Sequence, residues 1–214
     1  CENETVETVS QTITVLDVTD PTITAIVPMP TANYTMDAAC TADVTPTANP
    51  VATAIDACDS DVSISFDYID SEPTNTCDGA DGSADGSYTF TRTWTITATD
   101  DCGNSTSQQT SQTVVVTDDA APILTSSWPA DYTTDLDASC NADLSVDAAG
   151  EATATANDAC DTDVSIDITS EDGAITYMAI NADDMAEGGY HFTRTWTVTA
   201  TDDCGNVASE THDQ

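Results

Sequence analysis

The chain has 214 residues, 39 of them Asp or Glu and only two of them Lys or Arg, for a formal charge of −37. Such a surface repels nucleic-acid phosphates and anionic lipid, which excludes both as partners. Strong negative charge with 6% aromatics can mark disorder, but 39% of the residues are hydrophobic, they alternate along the chain, and eight are Cys, so the sequence describes a folded acidic protein.

In chain order, residues 1–20 read as the last strand of a preceding repeat plus a linker, because Cys1-Glu2-Asn3 aligns with Cys102-Gly103-Asn104. Strands are expected at 22–27, 50–55, 61–69, 88–99 and 110–117, and again at 123–128, 151–156, 163–169, 174–180 and 189–201. In these stretches Thr, Val and Ile lie between turn residues, and nothing has helical periodicity. The two series are copies of one another. "SQTITVLDVTDPTI" from Ser10 returns as "SQTVVVTDDAAPIL" from Ser111, and "MDAACTADV" from Met36 as "LDASCNADL" from Leu136. "DACDSDVSI" from Asp56 returns from Asp158, and "YTFTRTWTITATDDCGN" from Tyr88 as "YHFTRTWTVTATDDCGN" from Tyr190. Domains are therefore expected at 21–120 and 121–214, the second stopping where its own last strand should begin. The expected fold class is all-β: tandem immunoglobulin-like β-sandwich repeats of about 100 residues.

The run "TRTWTITATDDCGN", then "QTVVVTDDAAP", then a "DAC" before the next strand, resembles the hyalin-repeat (HYR) and related bacterial Ig-like modules. That resemblance implies modules strung in tandem along large extracellular proteins as non-enzymatic spacers, adhesive stalks or matrix elements. The second copy departs from the first in lacking a counterpart of Cys77. The linker "VTDDAAP" also resembles the calcium-binding linkers of cadherin repeats.

Alternation places Tyr88, Phe90, Arg92, Trp94, Ile96 and Ala98 on one face of a strand and a row of Thr on the other. A charge on the core face is costly unless paired. Arg92, and likewise Arg194, is expected to stack between a Phe and a Trp, here Phe90 and Trp94, and to reach a carboxylate, which pins the strand. A ligand-gripping Arg is the alternative.

In a sandwich of this topology one end of the first copy gathers Asp17, Asp20, Asp56, Asp59, Asp61, Asp100 and Asp101. The same end of the second gathers Asp118, Asp119, Asp158, Asp161, Asp163, Asp202 and Asp203. Carboxylates converge only if a cation separates them, and oxygen-only ligands favour Ca²⁺. A solvated acidic rim in a saline medium is the alternative.

The Cys residues lack zinc-type CxxC spacing, which points to disulfides and an extracellular setting. The topology pairs Cys58 with Cys102, Cys160 with Cys204 and Cys40 with Cys77, leaving Cys1 and Cys140 over. A rival scheme pairs Cys40 with Cys58 and Cys140 with Cys160. His191 and His212 lie in no ligand pattern. Sequons at Asn3, Asn33 and Asn104 are candidate glycosylation sites. The Thr row reads as a bland exposed face, a carrier of O-linked sugar, or a glycan- or ice-binding plane.

No nucleophile–base pair, phosphate loop or zinc site appears in the sequence, so no enzymatic role is expected. The leading expectation is a structural module of an extracellular fibre, filament or stalk in a saline environment, partnered by copies of itself or adjacent repeats. Disulfides and Ca²⁺ would stiffen it. Either the chain is a window from a tandem array, or Gln11–Asp17 completes the second copy of a neighbouring chain by β-strand addition. An adhesin module holding surface glycans or ice through Thr-rich faces is the alternative.

Overall fold

The structure, a computed structural model, describes residues 3–77, 86–178 and 188–214. It is nearly all β. Most strands lie where Thr, Val or Ile recurs at alternate positions, since a pleated strand buries one face and wets the other. They are β1 (Thr22–Val27), β2 (Ala32–Thr35), β3 (Val51–Ile55), β4 (Ser63–Asp70), β5 (Thr74–Asn75), β6 (Tyr88–Thr99) and β7 (Ser105–Thr117). In the second copy come β8 (Ile123–Ser127), β9 (Thr153–Asn157), β10 (Ser165–Asp172), β11 (Thr176–Tyr177), β12 (Tyr190–His191), β13 (Arg194–Thr201) and β14 (Val207–Asp213). One helical turn, α1 (Val146–Ala149), is capped by the Ser145 hydroxyl accepting from the Ala148 amide. Among the described residues no helix is long and apolar enough to cross a membrane.

The chain divides into two compact units. The first comprises Cys1–Ala32, Thr45–Glu72 and Thr91–Thr113; the second comprises Asn33–Val44, Pro73–Phe90 and Val114–Gln214. Residues 21–120, expected to form one domain, thus contribute to both.

In the first unit β1 and β3 pair antiparallel, and β4 pairs with β6 from Ser63↔Thr99 to Asp70↔Arg92. The core lies between these two sheets. Trp94, Ile96 and Ala98, all at most 1% exposed, pack against Ile23, with Ala52, Ala54, Ile64 and Phe66 around them. The opposite face of β6 presents Thr hydroxyls, where Thr97 meets Ser107 and Thr95 meets Gln109. In the second unit β10, β13 and β14 form one sheet and β8 pairs with β9. Ala152, Trp196 and Val198 are buried there against Leu124, Trp128, Ala154 and Ile168.

The β4–β6 pair belongs to a larger sheet of order β2-β7-β6-β4, with β5 on β6. Its β2 and β5 residues and the ends of β6 and β7 belong largely to the second unit. Three strands were not expected: β2, β5 and β14. β14 pairs with β13 from Val207↔Thr201 to Asp213↔Thr195 and matches the first half of β7. Its counterpart in the first copy, β7, begins earlier than the expected 110, at Ser105. The polar run Ser105–Thr110 holds a strand through ladder hydrogen bonds even though it has no apolar face to signal one.

Candidate functional site

The two arginines sit where the strand ladder places them. Arg92 is 1% exposed and grips Asp70, its direct cross-strand partner, with Nε to Oδ1 at 2.7 Å and Nη2 to Oδ2 at 2.8 Å. Its guanidinium lies 4.5 Å from the Tyr68 ring centroid, which stands beside Trp94. The ring beneath the cation is thus a tyrosine on β4, not only the Phe90–Trp94 frame of its own strand. Arg194 repeats the pair with Asp172 at 2.5 and 3.0 Å, donates to the Leu144 carbonyl at 3.0 Å, and lies over Phe192. This hydrogen-bonded contact lowers the Asp172 carboxyl and raises Arg194 from their ordinary values.

The cysteines pair differently from either expected scheme. Cys40 bonds Cys160 and Cys77 bonds Cys204, with Cα atoms 5.0 and 4.8 Å apart. Cys58, Cys102 and Cys140 are free and exposed, and Cys1 lies outside the described residues. Pairings within one copy fail because both bonds run from a cysteine of the first copy to one of the second. The clue in the sequence was the missing counterpart of Cys77, which no scheme confined to single copies accommodates evenly. Met36 sulfur lies 3.5 and 3.6 Å from the Cys40 and Cys160 sulfurs. Gly86 makes room for the second bond: a Cβ there would sit 2.6 Å from Cys204 Sγ, at φ +91°. The two bonds fit an oxidising, extracellular environment.

The fourteen aspartates divide by role. Asp59 accepts from the amides of Asp61 and Asp101, and Asp161 from those of Asp163 and Asp203. Asp100 and Asp202 each receive both the backbone and the side-chain N–H of the Asn four residues on. Burial alone would raise Asp100, but the hydrogen bonds from Asn104, Gly103 and Cys102 outweigh it and hold the carboxyl low. These groups cap turns. Asp20, Asp61, Asp101, Asp119 and Asp163 are exposed or nearly so.

Two pairs remain. Asp17 and Asp56 offer oxygens within 4.8 Å of one another and of the Cys58 sulfur, and Asp118 and Asp158 do so beside Cys160. Asp118 is 4% exposed, and its Oδ2, like Asp56 Oδ2, has no hydrogen-bond partner. Burial, with Asp158, Asp202 and Asp119 nearby, pushes the Asp118 carboxyl up. A hard cation would relieve that charge. Each pair supplies two carboxylates, so the six to eight oxygens that Ca²⁺ takes would have to come from backbone and water as well. The Cys160 sulfur, already in a disulfide, offers no thiolate.

Asn104 and Asn206 act alike: each Nδ2 also donates to a linker carbonyl, Asp17 at 3.2 Å and Asp118 at 3.3 Å. The Asn104 amide that a sugar would occupy is therefore engaged. Asn3 and Asn33 are exposed. His212 stacks on Trp128 at 5.1 Å and His191 is an exposed residue of β12.

The second unit also carries a cleft of about 510 Å³, which nothing in the sequence signalled. Tyr132, Thr133, Thr134 and Leu136 form one side, and Tyr190, His191, Phe192 and Thr193 another, with Leu144, Met178 and Gln214 between. By sequence, Tyr132–Asp135 matches Ala32–Thr35, which is β2, and Tyr190–Thr193 matches the start of β6. In the first copy the end of β7 lies between those two strands.

No family model and no curated protein matches the chain.

Proposed function

We propose that this chain is a structural repeat module of an extracellular fibre, filament or stalk, built from immunoglobulin-like sandwiches of the HYR type in tandem. The observation that carries this reading is the cysteine pattern: both disulfides tie a residue of one sequence copy to a residue of the next, Cys40 to Cys160 and Cys77 to Cys204. Both bonds lie within the second compact unit, where they tie segments of the two sequence copies into one body. The pairs Asp17–Asp56 and Asp118–Asp158 are the places for Ca²⁺, which would neutralise part of the −37 charge and stiffen each junction. Copies of the chain, or adjacent repeats, are the partners, joined covalently in tandem or by β-strand addition. No catalytic step is proposed.

The test is negative-stain imaging of the purified chain, concentrated in millimolar Ca²⁺. Threads of uniform width are expected, whereas isolated beads at every concentration would remove the fibre reading. A second reading, an adhesin that binds glycans or ice, rests on the hydroxyl face of β6 and β7, where Thr97 and Ser107 lie 2.8 Å apart. A glycan-array signal lost on replacing Thr95 and Thr97 by Val, with melting unchanged, would favour it.

A further inference from the structure

We infer that the Asp118–Asp158 pair and the disulfide beside it act as one linked device: Ca²⁺ at the carboxylates protects the Cys40–Cys160 bond from reduction, and opening that bond weakens the site for Ca²⁺. The inference rests on the Ca²⁺ part of the reading above and adds its regulation by thiols.

The two carboxylates come from segments far apart in sequence, all within the second unit. Asp118 follows β7 and Asp158 follows β9. On one side, the Asp118 amide donates to the Ser87 hydroxyl at 2.8 Å, and its carbonyl accepts from Asn206 Nδ2 at 3.3 Å. The Ser87 amide in turn meets the Cys204 sulfur at 3.4 Å, so the Cys77–Cys204 bond backs this side. On the other side, Asp158 Oδ1 accepts from the Cys160 amide at 2.7 Å. The Cys40–Cys160 bond joins the two sides. The Met36 amide donates to the carbonyl of Thr117, the residue before Asp118, at 3.0 Å, and Cys40 lies four residues beyond Met36. A short path thus runs from Asp118 through Met36, Cys40 and Cys160 to Asp158, and its one covalent bridge between segments is the disulfide.

An oxygen of each carboxylate and the Cys160 sulfur lie within 4.8 Å of one another. Asp118 is 4% exposed, and its Oδ2 has no hydrogen-bond partner. Asp119 and Asp202 add to the same negative field. Carboxylates this close repel, and burial leaves little water to screen them. Without a cation, the disulfide holds them together against that repulsion, and opening it lets the Asp158 loop withdraw. With Ca²⁺ between them the sign reverses, because the ion holds the loops where the two sulfurs face each other. Ca²⁺ is hard and takes oxygen, so a freed cysteine sulfur offers no replacement ligand once the loops part. The coupling is reciprocal: the factor by which Ca²⁺ favours the closed bond is the factor by which the closed bond tightens Ca²⁺ binding. Reduction by a dithiol balances simply. Two electrons and two protons pass to the bond, Cys40 and Cys160 become thiols, and the reductant closes its own disulfide.

The test equilibrates the whole oxidised chain with a series of ratios of reduced to oxidised dithiothreitol, in EGTA and in millimolar Ca²⁺. Free thiols are then trapped with iodoacetamide and the peptides mapped. Ca²⁺ is expected to raise the ratio needed to open Cys40–Cys160 by about tenfold, a size usual for coupled sites. Asp118→Asn keeps an oxygen for the Ala120 amide but should lose the shift, as should Asp158→Asn. Calorimetry reads the reciprocal effect: Ca²⁺ should bind the double variant Cys40→Ser, Cys160→Ser more weakly by the same factor, with circular dichroism checking its fold. Ca²⁺ binding that Asp118→Asn abolishes, with a wild-type midpoint that the ion does not move, overturns the linkage and leaves the site. A shift that persists in Asp118→Asn assigns the protection to screening of the −37 charge and also overturns it. If Asp118→Asn removes no Ca²⁺ binding at all, the linkage and the cation site fall together, while the fibre still stands or falls by imaging.

Discussion

The two sequence copies share nearly every residue that matters to a sheet, yet they are not equally ordered. In the first, Ala32–Thr35 is a strand and Tyr88–Thr99 runs unbroken for 12 residues. In the second, Tyr132–Asp135 is no strand, and the counterpart of β6 is split into β12 and β13 around Phe192 and Thr193. Ala-Asn-Tyr-Thr has no better strand propensity than Tyr-Thr-Thr-Asp. What differs is the partner: the end of β7 lies between the strands of the first copy, and a cleft lies between their counterparts. Edge backbone becomes a strand when a neighbour satisfies its hydrogen bonds, whatever its own preference.

Breaking the arginine pairs should separate the copies most. Asp70→Ala leaves Arg92, 1% exposed, without its bidentate partner, and the expected loss is about 3–5 kcal/mol by chemical denaturation. Asp172→Ala should lose less. Asp172 is 48% exposed, and Arg194 keeps the Leu144 carbonyl. Equal losses would mean that the carbonyl contributes nothing. Gly86→Ala comes next, at about 2 kcal/mol, because the new methyl meets the Cys204 sulfur at a backbone angle that disfavours side chains. Slower formation of the Cys77–Cys204 bond on oxidative refolding should accompany it.

A sharper comparison sets two equivalent valines against each other. Val116→Ala removes a fully buried side chain and should destabilise by roughly 2 kcal/mol, whereas Val15→Ala, at an exposed site, should stay within about 0.5 kcal/mol in the monomer. If Val15→Ala destabilises the isolated chain as much as Val116→Ala does, residues 12–17 are already packed in solution and the comparison between the copies fails.

The strands along the repeated motifs were legible because their alternation has an apolar side: β1, β3, β4, β6, β8, β9 and β10 lie within a few residues of expectation. The first half of β7, and β14 past Val207 and Ala208, are polar on both faces, so period alone could not find them. The Arg–Asp pairing was legible as chemistry, since a core-facing cation requires an anion, but not as an address. Asp70 and Asp172 emerge only from the register of β4 and β10. The cysteines misled because bonds were sought inside each copy. Spacing along the chain does not reveal that Cys40 and Cys160, 120 residues apart, are neighbours. Most of the predicted aspartate ligands turn out to be turn caps, because Asp favours both roles and sequence does not distinguish an oxygen turned to an amide from one turned to a cation.

The smallest expected effect concerns Asp118, buried beside Asp158. Burial and three neighbouring aspartates raise the folded pKa of Asp118 above its unfolded value. The folded state therefore holds that proton more tightly, so the group lowers stability at neutral pH, and this loss is relieved as pH falls through the raised value. Asp118→Asn should accordingly raise the melting temperature by a few degrees at pH 7 in EGTA and by nothing once the pH is low enough to protonate the wild-type carboxyl. Calcium gives the opposite sign. If Asp118 and Asp158 hold the ion, millimolar Ca²⁺ should raise the melting temperature of the wild type and not that of Asp118→Asn, reversing their order. An unchanged order in Ca²⁺ would leave Asp118 as a buried, unrelieved charge and the linker without a cation at this position.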